Sequence, residues 1–228
     1  MLYAVLQPLS HGLLRSLFRC HVTGVEHVPR SGSAILAANH VSVFDPPVVG
    51  APAPRPIHYM AKAELFRIPG LGWLIRRLNA HPVERGGSDA GAMRLALRLL
   101  SEGEVLLVFP EGTRGDEGQL RRAHAGTGML AALSGAPVVP VLVTGTGRVL
   151  PRGTWLPRLT RITVTYGAPL RFGRARGKAR YQAISDEIMA AIGRLRDEVG
   201  LGHELGPAPF DDPAAQTTPE RVSTGPFQ

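Results

Sequence analysis

Histidine titrates nearest neutral pH, so it is the side chain best placed to act as a base there. In this chain His40 stands in Asn39-His40-Val41-Ser42-Val43-Phe44-Asp45-Pro46, directly after the apolar run Ser33–Ala38. Asp45, five residues on, puts a carboxylate within reach to orient the ring. A second polar stretch, Phe109-Pro110-Glu111-Gly112-Thr113-Arg114, closes the apolar run Val105–Phe109. Gly112 lets backbone approach a ligand closely. Arg114 offers a planar fork suited to phosphate. Glu111 either holds that guanidinium or accepts a substrate hydroxyl. Arg85, at the end of a third strand candidate, is a natural second phosphate ligand.

Each of these residues has a plainer reading. Asp before Pro is an ordinary helix start, with Asp45 as cap and Pro46 in the first turn. His40 can simply end a strand. Glu111–Arg114 can be a turn with a surface ion pair, which contributes little. Arg85 can be a solvated turn residue before Gly86-Gly87. What favours chemistry is the coincidence of polar stretches at the ends of buried strands, where open α/β sheets bind ligands.

Several nucleophiles drop out. There is no G-x-S-x-G elbow. The single cysteine, Cys20, lies twenty residues before His40, outside both polar stretches. Gly145-Thr146-Gly147 lacks the third glycine and later acid of a dinucleotide fingerprint, and no P-loop or zinc-spaced Cys/His cluster occurs. A base, its orienter and an anion clamp remain, an inventory that suits direct attack by a substrate hydroxyl.

The elements that must position these groups alternate. Strands are expected at Ser33–Ala38, Ile57–Ala61, Asn79–Val83, Val105–Phe109, Pro137–Thr144 and Arg161–Tyr166, the last as an edge. Helices are expected after Asp45, over Leu71–Leu78, after the Ser88-Asp89 cap as far as Gly103, through Leu133, and from Tyr181 to Gly200. This alternation predicts an α/β fold, one domain over residues 21–204 with a mostly parallel sheet flanked by helices. Residues 1–20 carry leucines at helical spacing with Arg15 and Arg19 between them and a break or kink at Pro8. They form either a helix packed on the core or one lying in a membrane interface. Residues 205–228, rich in Pro, Thr and Ala, are expected to be a disordered tail.

The 228 residues carry 26 Lys and Arg against 18 Asp and Glu, a net charge of +8. That excess points to an anionic partner. Thirteen aromatics (2 Trp, 4 Tyr, 7 Phe) and the absence of a recognisable motif exclude nucleic acid as the expected partner. Arg171, Arg174, Arg176, Lys178 and Arg180 form a run without an acid. It is either a solvated loop or a contact to an anionic surface. One cysteine permits no intrachain disulfide and fits a reducing compartment. Neither a secretory signal nor an apolar run of spanning length is seen, so if the protein works on a membrane it lies on it.

Four blocks, in order, resemble the glycerolipid acyltransferases, whose best-known members act on 1-acylglycerol-3-phosphate (lysophosphatidate). They are Asn39-His40 with Asp45; Met60–Phe66 with Pro69, Gly72-Trp73 and Arg85; Phe109–Arg114; and Val138–Val141. The likeness runs from about Gly24 to Pro169. It implies a glycerol-3-phosphate acyltransferase-like fold. It makes His40 and Asp45 the catalytic pair, Arg85, Glu111, Gly112, Thr113 and Arg114 the binders of the acceptor's phosphate, and Asn39 and Lys62 supporting residues. It also implies acyl transfer from acyl-CoA or acyl carrier protein to a lysophospholipid, lysophosphatidic acid foremost, without cofactor or metal. With this resemblance, the expected location is peripheral, on the cytoplasmic face of the cell membrane. A related lysolipid as acceptor, or a non-catalytic phospholipid-binding protein on the same fold, are the competing expectations.

Overall fold

Every residue of the strand Ala34–Ala38 (β2) is buried, and alternate side chains go to opposite layers. Ala34, Leu36 and Ala38 enter one apolar cluster, while Ile35 and Ala37 enter the other. Strands Val105–Val108 (β5) and Val138–Thr144 (β6) divide in the same way. A strand apolar on both faces is stable only when helices cover both. The computed structural model describes residues 2–83, 90–151, 154 and 156–200. Glu84, Arg85, the Ser88-Asp89 cap and the expected tail 205–228 lie outside the described residues.

The remaining strands are His21–Thr23 (β1), Ile57–Lys62 (β3), Ala80–Val83 (β4) and Thr163–Tyr166 (β7). The sheet has seven strands in the order β1-β7-β6-β2-β5-β3-β4. β2 pairs in parallel with both β5 and β6, and β3 pairs in parallel with β5 and β4. β7 runs antiparallel to β6 and parallel to β1. The chain is thus an α/β domain with a mostly parallel sheet, as expected.

One layer holds helix Leu2–Leu17 (α1), helix Asp45–Gly50 (α2), helix Leu71–Arg77 (α3) and the short helix Thr146–Val149 (α6). Its core includes Leu14, Val48, Val49, Val149 and Tyr166, with Ile75 packed against it. The other layer holds Ala90–Ser101 (α4), Ala125–Ser134 (α5) and Lys178–Glu198 (α7). Here Leu99, Leu130, Ile184, Ile188 and Ile192 meet β2, β5 and β6. At Gly128 an added Cβ would lie 1.9 Å from the Tyr181 carbonyl oxygen, so only glycine lets α5 and α7 come this close.

Several boundaries differ from expectation. Arg161–Tyr166 is not an edge strand: only Thr163–Tyr166 is strand, and β1 covers its outer side. Asn79 has φ of 61° and precedes β4 as a left-handed turn residue rather than opening it. α1 runs through Pro8 without ending, although Pro8, the seventh residue of the helix, cannot donate the i→i−4 hydrogen bond of that turn. Leu14 packs into the core at 4 % exposure, while Leu9, Leu13 and Leu17 face outward.

Candidate functional site

Because β2, β5, β3, β4 and β6 all run the same way, their C-terminal ends share one edge of the sheet. His40 follows β2 and Glu111 follows β5, so both polar stretches reach that edge. Asn39 fixes the exit of β2. Its side-chain amide donates to the Val143 carbonyl at 2.9 Å, and its oxygen accepts the Val143 N–H at 2.7 Å. This two-point clamp onto β6 determines where the next residue, His40, can lie.

His40 Nδ1 sits 2.7 Å from Asp45 Oδ2. The same oxygen accepts the N–H groups of Val41 and Ser42, each at 2.8 Å. Its twin, Oδ1, accepts the Thr146 hydroxyl at 2.6 Å. Asp45 and Thr146 are both 0 % exposed. A buried carboxylate is costly unless its lone pairs are used, and here four donors use them. Asp45 does not cap its own helix, contrary to the ordinary Asp-Pro reading. It is the first residue of α2, with Phe44 in the cap position and no side-chain capping bond. Its carboxylate instead turns back to the loop that carries the histidine.

The His40 ring stacks on Phe109, with centroids 4.0 Å apart and planes 20° apart. Its side chain is 18 % exposed. Nδ1 is bound to the acid, so Nε2, on the far side of the ring, is the nitrogen available to a substrate. The ring is held at one edge by a carboxylate and on one face by an aromatic, the arrangement a preorganised base needs.

Glu111 departs from expectation. It was expected to meet Arg114 or the substrate, yet it is 2 % exposed. Oε1 accepts the His40 backbone N–H at 3.1 Å and Oε2 the Arg121 N–H at 3.3 Å. It braces the catalytic loop from below. Burial pushes its carboxyl up to about 7, with the Asp45 charge adding to the rise, against the opposing pull of the two N–H donors and Arg121.

The rest of the second stretch curls around the histidine. Gly112 has φ of 66°, and an added Cβ would stand 2.8 Å from the His124 ring, so the turn requires glycine. Thr113 is exposed and Arg114 half-buried. The next residue, Gly115, donates its N–H to the His40 carbonyl at 2.7 Å, which ties the backbone after Arg114 to that of His40. Lys62 ends β3, in register with Val83 at the end of β4. It lies on the same edge, and none of the hydrogen bonds of the His40–Asp45 cluster involves it. Arg85 lies outside the described residues.

Three participants escaped the sequence reading. Thr146 completes the Asp45 environment. Glu117 accepts the N–H groups of Gly145 and Gly147 at 2.6 and 2.9 Å, anchoring the start of α6 and so the position of Thr146. Phe109 supplies the stacking face. The available signal was Gly145-Thr146-Gly147 itself, a small-residue turn directly after a buried strand.

Residues 19–144 match the family described as Acyltransferase. A 1-acyl-sn-glycerol-3-phosphate acyltransferase of Bacillus subtilis is 29 % identical over 178 residues, 76 % of this chain and 86 % of that protein. A Mycobacterium tuberculosis protein named only as uncharacterised is 33 % identical over 181 residues, 73 % of this chain. This chain spans only 48 % of that relative's length. The crystal structure of the 1-acyl-sn-glycerophosphate acyltransferase PlsC of Thermotoga maritima superposes with a TM-score of 0.69 at 28 % identity, covering 85 % of this chain and 79 % of that one.

Proposed function

This chain belongs to the acyltransferase family, and from that premise we propose that it moves a fatty acyl group from a thioester to a lysophospholipid hydroxyl. The favoured acceptor is lysophosphatidic acid, giving phosphatidic acid. The observation that carries the reading is the 2.7 Å bond between His40 and a fully buried, four-donor Asp45.

In this reading His40 Nε2 takes the proton of the acceptor hydroxyl as its oxygen attacks the thioester carbonyl carbon. Asp45 fixes the tautomer and stabilises the imidazolium, as the carboxylate does in a catalytic triad. The tetrahedral intermediate collapses, the C–S bond breaks, and the departing thiolate takes the proton back from the imidazolium. No covalent enzyme intermediate forms, so ester and thiol are the only products. Arg114 and Arg85 hold the acceptor's phosphate, with Thr113 and the Gly112 backbone beside it. Backbone N–H groups near 112–114 are the oxyanion donors of this scheme. The donor is acyl-CoA or acyl carrier protein, no cofactor takes part, and the protein works at the cytoplasmic face of the membrane.

The test is a panel of lysolipid acceptors and thioester donors given to the purified full chain, with thiol release and product mass both recorded. Phosphatidic acid from lysophosphatidic acid is the expected result. Transfer only to another lysolipid would move the acceptor assignment, and no thiol release with any pair would overturn the reading.

A further inference from the structure

The catalytic edge is apolar on one side of His40. Three large side chains stand out on the segment between β3 and β4: Ile68, Leu71 and Trp73, exposed by 47, 38 and 56 %. Since β3 runs parallel to β5 and β2, this segment emerges at the same edge as His40. Apolar tips of this size, grouped on one turn, mark an interaction surface rather than chance exposure.

The hairpin is built to hold them out. Phe66 is buried in the core at its base. Gly72 packs so closely that an added Cβ would lie 2.3 Å from the Phe66 carbonyl oxygen. Backbone bonds from Gly72 to Ile68 (2.8 Å) and from Leu74 to Gly70 (2.9 Å) close the turn. The fold needs the glycines and Phe66 but makes little use of Ile68, Leu71 or Trp73. Arg67, Arg76 and Arg77 surround the tip and are all exposed. Arg76 lies over the Phe66 ring at 5.3 Å and Arg77 over Trp73 at 5.7 Å. No acid occurs from Leu65 to Val83.

A second apolar feature comes from α1. Leu9, Leu13 and Leu17, four residues apart, form one stripe exposed by 65, 55 and 45 %. β1 runs antiparallel to β2 through β7 and β6, so α1 also ends at the catalytic edge. Contact between Phe18 and Phe44, with ring centroids 5.6 Å apart, fixes that end beside the His40–Asp45 loop.

We propose that the hairpin 67–77 is a membrane-docking element that inserts Ile68, Leu71 and Trp73 into an anionic bilayer, so that it and the α1 stripe seat the His40 edge on lipid. An apolar tip collared by arginines matches the bilayer boundary, where tryptophan and apolar chains sit at acyl depth and cations meet headgroups. A second copy of the chain fits worse, because pairing the hairpin with itself would bring three arginines against three with no acid between. Among the described residues no helix is long and apolar enough to cross a membrane. The inference rests on the reading that the acceptor is a membrane lysolipid.

The experiment uses the full chain and vesicles of phosphatidylcholine with phosphatidylglycerol. Wild type is expected to co-sediment, and the double variant Leu71→Glu, Trp73→Glu to bind at least about 10-fold more weakly, since each side chain loses its apolar transfer. In a Trp155→Phe background Trp73 is the only tryptophan, and brominated lipid is expected to quench it. With a short-chain lysolipid in solution the double variant is expected to turn over as wild type does, while on vesicles it falls about 10-fold. Unquenched Trp73 in vesicle-bound protein would overturn the proposal, as would equal binding by the double variant. A dimer that the double variant dissociates, without vesicle binding, would also overturn it and assign the hairpin to self-association. Vesicle docking without acyl transfer to any lysolipid would leave the docking surface standing and fail the acyltransferase reading instead.

Discussion

Among the described residues, His40 and His58 each sit beside an acid, at different places on the sheet. His40 follows β2 at the C-terminal edge, and its Nδ1 is 2.7 Å from an Asp45 that is 0 % exposed. His58 is the second residue of β3, away from that edge, and its Nε2 is 3.6 Å from a Glu104 that is 37 % exposed. The Asp45 carboxylate has four donors in fixed positions. Glu104 is half open to water, and the other ring nitrogen of His58 faces His81 at 2.9 Å. Residue types alone do not separate the two pairs. What separates them is preorganisation and which end of the strand carries the histidine.

The comparison breaks first, and most severely, at His40. His40→Ala removes the imidazole whose carboxylate partner is fully enclosed. Acyl transfer, read as thiol release with lysophosphatidic acid present, is expected to fall about 1,000-fold, within the range for loss of a general base. Circular dichroism is expected to be unchanged, because the ring is a surface-reaching side chain rather than a core one. Turnover at the wild-type rate would remove His40 as the base.

The orienting carboxylate is the next point of attack, directly and through its support. Asp45→Asn is expected to cost about 100-fold or more in kcat, because the amide cannot stabilise an imidazolium and favours the wrong tautomer. Thr146→Val removes one charge-assisted hydrogen bond from Asp45 Oδ1 while keeping the side-chain shape. The expected loss is about 10-fold in kcat, corresponding to about 1–2 kcal/mol. Thr146→Ser, which restores the hydroxyl, is expected to recover most of it. If Val and Ser variants behave alike, Thr146 contributes packing and not positioning.

Glu111 sharpens the comparison through pH. Its folded pKa, about 7, lies above the ordinary 4.5, so the folded protein keeps a proton that the unfolded chain releases. This contribution to stability is complete below about 4.5 and is lost as the pH rises towards 7. Glu111→Gln cannot titrate, so it is expected to flatten the decline in Tm across that window. It also turns an amide N–H2 toward one of the two backbone donors, at a cost of about 1–3 kcal/mol. A slope unchanged by the substitution would locate the titration elsewhere.

Much of this arrangement was legible in the sequence because it is carried by patterns local to the chain. Uninterrupted apolar runs gave the central strands, and polar residues directly after β2 and β5 gave the edge and the His40–Asp45 pair. The physics that hid the rest is non-local. Whether Asp45 caps α2 or turns back to His40 depends on Thr146, 101 residues away. Whether Glu111 faces substrate or backbone depends on how the loop from 115 to 121 folds over it. The placement of Thr163–Tyr166 inside the sheet depends on three residues of β1, too short to show an alternating pattern.

The smallest effect belongs to the second histidine pair, and it makes the comparison decisive. Burial is the main cause holding both His58 and His81 below the usual imidazole range, and the nearby Arg55 and Arg98 lower them further, while Glu104 and Glu102 oppose the shift at His58. The folded pair therefore binds fewer protons than the unfolded chain as the pH drops below about 6.5. Stability from this pair is present above that value and is lost as the pH falls, the opposite sign to Glu111. The double variant His58→Gln, His81→Gln is expected to reduce the acid-side loss of Tm while changing kcat by less than about 2-fold, since neither ring contacts the His40 cluster and surface-level changes away from such features are small. A large fall in kcat would mean that the far end of β3 is coupled to the catalytic edge. An unchanged rate with a flattened acid limb would show that a histidine beside an acid does chemistry in this fold only where the carboxylate is enclosed and the strand ends.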